Sequence, residues 1–238
     1  MPGGTMDPHR LSEAIVALAG LMARLRGPGG CPWDAEQTDA TVRMYLIEEA
    51  YEVLDAVERG SPRQVCQELG DLLFQVLFMA RLAEEREEFD LADVMEGIRE
   101  KMVRRHPHVF GDEQVSGAED VARNWTRIKQ AEKEGSGGKH SLLESVPGQL
   151  PALMKTHRLC ERAAGAGLYR TDPDGIREET RRRAERLEKA LDQEDETEMG
   201  EAIGALLFSL ADLARQRGMN AEDLLRRANR RFLEGLRP

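Results

Sequence analysis

The stretch GDLLFQVLFMARL at 70 to 82 returns as GALLFSLADLARQ at 204 to 216 with most of its apolar positions kept. A segment repeated at an offset of 134 residues in a chain of 238 constrains the fold strongly, because each copy must bury the same pattern of side chains. The same offset lays IEEAYEVLDAV over RRRAERLEKAL, and after a slip of four residues DLADVMEGIREKM lies over NAEDLLRRANRRF. Apolar residues recur at spacings of three and four in these stretches, while strict alternation with β-branched enrichment is scarce. The chain is therefore expected to be all-α, built as two tandem helical-bundle repeats.

Local signals agree with this expectation. Gly60 ends the first acidic helix, and S-P-R-Q at 61 to 64 supplies an N-cap serine, a proline at the first helical position and a glutamine three residues on. Similar start signals stand at Asp90 to Asp93, Ser116 to Glu119 and Asn220 to Asp223. Between Lys133 and Pro151, Gly, Ser and Pro gather and the periodicity fades, as in a linker.

With 40% hydrophobic residues the chain has enough apolar material for a core, and a net charge of -10 argues against a general nucleic-acid or anionic-membrane surface. No apolar run reaches spanning length and the N-terminus lacks a signal-peptide pattern, so a cytoplasmic protein is expected. Cys31, Cys66 and Cys160 are widely spaced and form no C-x-x-C pair, which points to reduced thiols.

Against that background the acids in LIEEAYEVLDAV stand out. Glu48, Glu49 and Glu52 interrupt an apolar helical run, and Glu68 and Asp71 open the next one. Glu49 and Glu52, like Glu68 and Asp71, are i,i+3 neighbours, so each helix shows a carboxylate pair on one face. The helix around 69 to 80 is apolar nearly all round and is expected to lie inside a bundle, with Glu68, Asp71 and Gln75 facing another helix. Like charges ~5 Å apart repel by roughly 3 kcal/mol at an effective dielectric of about 20. A cation has to offset this, and an all-oxygen donor set suits Mg2+, or Mn2+, better than zinc. Read alone, E-E-x-x-E is commonly a solvated face and E-x-x-D an acidic first turn. Both on adjacent buried helices point to a metal site.

The repeat sharpens this. Glu48, Glu49 and Glu52 fall on Arg182, Arg183 and Arg186, and Glu68 and Asp71 fall on Ala202 and Ala205. Leu72, Leu73 and Phe74 reappear as Leu206, Leu207 and Phe208. The second copy keeps the packing pattern and drops the acids.

With E-E-x-x-E and E-x-x-D, and with GGCPWDAEQT at 29 to 38, EKMVRRHPHVFGD at 100 to 112 and NWTRIKQAEK at 124 to 133, the sequence resembles the MazG nucleoside triphosphate pyrophosphohydrolases of the all-α NTP pyrophosphatase superfamily. The resemblance covers nearly the whole chain. It implies Mg2+-dependent cleavage between the α and β phosphates of a nucleoside triphosphate, giving the monophosphate and pyrophosphate. Carried over residue by residue, it implies Glu49, Glu52, Glu68 and Asp71 as metal ligands and Glu48 as the group that orients or deprotonates the attacking water. It also implies a homodimer.

Lys101, Arg104, Arg105 and Lys129 are the candidate phosphate contacts, although cations near a helix C-terminus also complement its dipole. Lys101 keeps a cation opposite it in Arg231, whereas Arg104 and Arg105 meet Glu234 and Gly235. Trp33 and Trp125 are candidates for stacking a nucleobase, with core packing as the alternative. His106 and His108 read as a helix stop rather than metal ligands. The expected organisation is an N-terminal segment over 1–19, a catalytic MazG-like domain over 20–133, a linker over 134–150 and a degenerate domain over 151–238 that is structural, regulatory or used in assembly. Two alternatives remain open from the residues: an enzyme restricted to dUTP or dCTP, and a non-enzymatic Mg2+ and nucleotide sensor or scaffold.

Overall fold

The computed structural model describes residues 7–134, 143–169 and 172–236, with the side chains of 122, 126, 129, 130, 133, 134 and 173 excepted. All the extended regular elements among the described residues are helices. The chain divides into two units, Met1–Val121 and Ala122–Pro238. The division falls inside a helix upstream of the segment read as a linker, and residues 135–142 of that segment lie outside the described part.

The first unit holds α1 (Pro8–Arg26), α2 (Pro32–Ala35), α3 (Asp39–Arg59), α4 (Pro62–Glu85), α5 (Leu91–Arg105), α6 (Pro107–Phe110) and the start of α7 (Ala118–Glu134). Side-chain caps set several boundaries. Asp7 accepts from the backbone N–H groups of His9 and Arg10 at the start of α1. Ser61 and Gln64 form a reciprocal capping box around Pro62, and Asp90 with Asp93 does the same for α5. At Ser116 the partner is Asp120 rather than Glu119, its carboxylate accepting from the Ser116 backbone N–H at 2.9 Å.

Gly60 and Ser61 alone separate α3 from α4, so the two helices fold back on each other as an αα-hairpin. The core beneath is Met22 of α1, Val42 of α3, and Phe78 and Leu82 of α4, with Phe74 and Met79 packed against it. Arg26, whose side chain is only 7% exposed, closes one end: it donates to Glu85 at 2.8 Å and to the backbone carbonyls of Asp34 and Gln37, with its guanidinium 5.2 Å from the Phe78 ring centroid.

The expectation that α4 is buried all round is corrected here. Leu77, Phe78, Ala80, Leu82 and Ala83 are buried, but Leu69 and Leu73 are 49% and 47% exposed. Within the unit α4 packs against α1, α3 and α5, too few neighbours to cover both of its faces. Met44, Ile47, Tyr51 and Leu54 of α3 are also exposed.

The second unit holds the rest of α7, then α8 (Ala152–Gly165), α9 (Pro173–Asp192), α10 (Glu196–Gln216) and α11 (Ala221–Gly235). Helices α3 and α9 start at 39 and 173 and helices α4 and α10 at 62 and 196, both 134 residues apart. Helices α5 and α11 start at 91 and 221, which is 130 residues apart. At the register of Phe78 the second unit carries Asp212, 0% exposed. Its carboxylate accepts from Tyr169 Oη at 3.0 Å, Arg215 Nε at 2.7 Å and Gln216 Nε2 at 2.9 Å. Burial beside Asp212 pushes the Cys160 thiol up to about 12, so this thiol is protonated and unreactive.

Candidate metal and phosphate site

The αα-hairpin of α3 and α4 brings the sequence-predicted acids together. One carboxylate oxygen each from Glu49, Glu68 and Asp71 lies within 4.8 Å of the others. Glu52 shares a hydrogen bond with Glu68, and Glu48 is close enough to Glu49 for their charges to interact. Glu49 and Glu68 are half-buried, while Glu48, Glu52 and Asp71 are exposed on the rim.

The electrostatics follow from this crowding. Partial burial, then the charges of Glu52 and Asp71, hold the Glu49 carboxyl above the usual glutamate range. Gln75 opposes this through a hydrogen bond, and Glu48 adds to the rise. Glu68 is raised for the same kind of reason: desolvation first, then the charge and hydrogen bond of Glu52, then Asp71. Two carboxyls raised by neighbouring carboxylates are the signature of a site that gains from a cation. The donors are all hard oxygens, drawn as i,i+3 pairs from facing helices, which fits Mg2+ or Mn2+. An open groove of about 330 Å³ adjoins the acids, lined by Glu52, Asp55, Arg59, Gln64 and Glu68.

The candidate phosphate contacts are placed unevenly. α5 packs against α4 and carries Lys101, Arg104 and Arg105 in its last turns. Lys101 is half-buried, Arg104 exposed and Arg105 buried. Trp33, 56% exposed on α2, sets its ring centroid 6.1 Å from that of Tyr45, one turn ahead of Glu48 and Glu49 on α3. Trp125 is half-buried on the part of α7 that belongs to the second unit, and the Lys129 side chain lies outside the described residues. His106 caps α5, with Nδ1 2.6 Å from the Met102 carbonyl oxygen, and sits beside His108.

Two contributors are not picked out by the motifs. Gln75, which its spacing of four from Asp71 already places on the acid stripe, hydrogen-bonds Glu49. Arg26 fixes the backbone beside Trp33 through contacts with residues as distant as Glu85, which no local pattern announces.

The second unit treats the same positions differently. Arg183, at the register of Glu49, donates across to the Ala205 carbonyl at 2.8 Å, and Arg186, at that of Glu52, pairs with Glu198 and Glu201. Arg182 pairs with Glu179 on its own helix.

The MazG nucleotide pyrophosphohydrolase domain matches residues 37–110, from the turn before α3 to the end of α6, a span that contains all five acids. The nucleoside triphosphate pyrophosphohydrolase of Escherichia coli K12 is 40% identical over 221 residues, 92% of this chain and 84% of that protein. The nucleoside triphosphate pyrophosphohydrolase/pyrophosphatase MazG of Thermotoga maritima is 38% identical over 217 residues, 91% of this chain and 82% of that protein. The nucleoside triphosphate pyrophosphohydrolase of Mycobacterium tuberculosis is 40% identical over 158 residues, 66% of this chain and 46% of that protein. The fold and these relatives place the chain among the all-α nucleotide pyrophosphohydrolases. More particularly, it belongs to the MazG family.

Proposed function

We propose that this chain hydrolyses nucleoside and deoxynucleoside triphosphates to the monophosphate and pyrophosphate, at a single kind of site built on α3 and α4. The observation that carries this reading is the convergence of the Glu49, Glu68 and Asp71 carboxylates within 4.8 Å inside the matched span. Glu49, Glu52, Glu68 and Asp71 would hold Mg2+, with Mn2+ as the substitute. When bound, the ion supplies positive charge against the phosphoryl oxygens and the carboxylates together. Glu48, on the exposed rim, orients the attacking water and takes its proton. Lys101, Arg104 and Arg105 meet phosphate oxygens, and Trp33 offers a face for the base.

A stacking platform has little means of telling one base from another, which favours a broad role in clearing the nucleotide pool over a site confined to dUTP or dCTP. The catalytic domain is assigned to 20–133 and a degenerate, non-catalytic domain to 151–238. The exposed apolar residues of α3 and α4 support a homodimer. A cytoplasmic location is supported by free thiols at Cys31, Cys66 and Cys160. Among the described residues no helix is long and apolar enough to cross a membrane.

The test incubates the protein with each common NTP and dNTP plus Mg2+, quantifies monophosphate and pyrophosphate, and runs Glu52→Gln in parallel. Pyrophosphate from the native chain alone is the expected result. Binding of Mg2+ and nucleotide without cleavage would replace the enzyme reading by that of a sensor or scaffold.

A further inference from the structure

Between α3 and α4 acids converge from both helices, whereas between α9 and α10 the equivalent register carries no acid at all. Arg183 replaces Glu49, and Ala205 replaces Asp71. The Arg183 side chain, 27% exposed, spans the gap that the carboxylates share in the first unit. Its Nη1 donates to the Ala205 carbonyl at 2.8 Å, its Nε donates to Glu179 at 2.8 Å, and its guanidinium carbon lies 5.8 Å from the Phe208 ring centroid. One turn further, Arg186 at the Glu52 position bonds Glu198 at 3.0 Å and Glu201 at 3.2 Å across the helix pair, where α4 carries Gln64 and Gln67.

The first unit thus has negative charge on both helices. The second has positive charge on α9 and negative charge on α10. An arginine in a partly desolvated gap, bonded on two sides and placed over an aromatic ring, is a strong fixed cation.

We propose that Arg183 supplies, from within the chain, the positive charge that a divalent ion supplies between α3 and α4, so that the second unit's helix pair is closed without metal. Magnesium then tightens one half of the protein and leaves the other unchanged. The second unit holds its packing at any magnesium concentration, while the α3–α4 pair depends on the ion. The comparison with the first unit rests on the proposed metal site there, but the role of Arg183 stands on contacts of its own.

Hydrogen exchange followed by mass spectrometry on the full chain tests this in EDTA and in excess Mg2+. Exchange across α3 and α4 is expected to slow at least tenfold with Mg2+, and exchange across α9 and α10 to stay the same within twofold. Arg183→Met keeps the stem and removes the charge, so it should speed exchange across α9 and α10 about tenfold in both conditions. Arg183→Lys should restore most of the protection, and Arg182→Gln on the exposed face should match the native chain. Mg2+-dependent protection of α9 and α10 in the native chain would overturn the proposal. So would Arg183→Met behaving like the native chain, or Arg183→Lys behaving like Arg183→Met, since charge would then not be what closes the pair. If α3 and α4 ignore Mg2+ while the Arg183 series behaves as expected, the metal reading of the first unit fails and this one survives.

Discussion

The two helix pairs α3–α4 and α9–α10 begin their helices at the same spacing along the chain, yet they treat charge in opposite ways. In the first, partial burial and the crowding charges of Glu52 and Asp71 raise the proton affinity of Glu49 and Glu68. In the second, arginines reach carbonyl and carboxylate partners on the neighbouring helix. The packing pattern therefore tolerates either solution, which separates what the fold requires from what the chemistry requires. Leu72 and Phe74, and again Leu206 and Phe208, are partly buried at the same register and serve the fold. The acids serve something else, because the second pair does without them.

The largest expected effect comes from exchanging residues at the same register. Glu49→Gln should lower pyrophosphate release by about 10³-fold, equivalent to several kcal/mol of lost charge stabilisation at the transition state. Glu48→Gln should lower it by roughly 10²–10⁴-fold while Mg2+ still binds, as expected of a lost general base. Arg182→Gln, at the register of Glu48, should leave turnover within twofold. A comparable loss from Arg182→Gln would show that the second unit takes part in the reaction and would break the comparison.

The cores differ at one register as well. Phe78 and Asp212 occupy equivalent positions, one against Arg26 and the other bonded to Tyr169, Arg215 and Gln216. Phe78→Ala should cost about 3–5 kcal/mol through the cavity it leaves. Asp212→Ala should cost about as much for a different reason, because a nearly buried guanidinium loses its carboxylate. Leucine distinguishes the two causes in urea unfolding. Phe78→Leu should recover most of the loss, whereas Asp212→Leu should not, since Tyr169, Arg215 and Gln216 remain without their acceptor. Recovery at both positions would mean that Asp212 acts only as volume.

Asp212 also marks how far the sequence could be read. The helix starts at Pro62 and Leu91 were legible because Ser61, Pro62, Gln64, Asp90 and Asp93 are adjacent in the chain and act on neighbouring backbone. The acid cluster was legible because i,i+3 spacing and a short turn leave little freedom in where the carboxylates point. Asp212, by contrast, looks like a surface acid in SLADLAR, and one of the three donors that satisfy it when buried, the Tyr169 hydroxyl, lies 43 residues away. Arg26 reads as one more basic residue in the last turn of α1, and its partner Glu85 lies 59 residues on. Leu69 and Leu73 were read as buried because hydrophobicity reports a preference for burial, while burial itself depends on how many helices the unit supplies.

A smaller effect separates the two ends of α4 by pH. Glu49 and Glu68 have values raised above the ordinary 4.5, so in EDTA their contribution to stability is fully present below 4.5 and is lost as pH rises through the raised values. Glu85 is lowered by its hydrogen bond and charge interaction with Arg26, and by Arg81, so its contribution is present above 4.5 and is lost as pH falls through its folded value. In EDTA the urea midpoint of the native chain should therefore gain on that of Glu49→Gln/Glu68→Gln as pH is lowered from 7 toward 5. Glu85→Gln should lose its disadvantage only below 4.5. Excess Mg2+ at pH 7 should raise the native midpoint and leave the double variant unchanged. Parallel slopes for native and double variant would mean that the crowding of carboxylates carries no stability consequence.

The smallest effect lies where the two units end their central helices. α4 and α10 both stop in a left-handed turn: past the cap Arg86 stands Glu87 with φ 58°, and past Arg217 stands Gly218 with φ 70°. The bonds are the same, Glu88 N–H to Ala83 O at 3.1 Å and Met219 N–H to Ala214 O at 2.9 Å. Only the residue bearing the strain differs. A side chain in this conformation costs about 1 kcal/mol that glycine avoids, and the gain is tempered by the extra freedom glycine has when unfolded. Glu87→Gly should therefore stabilise the first unit by about 0.5–1 kcal/mol, and Gly218→Ala should destabilise the second by about the same. Both are readable as shifts in urea midpoint at unchanged slope. Loss of stability in Glu87→Gly would show that its side chain holds a contact in solution that outweighs the backbone strain, and the two helix ends would then differ in more than their glycine.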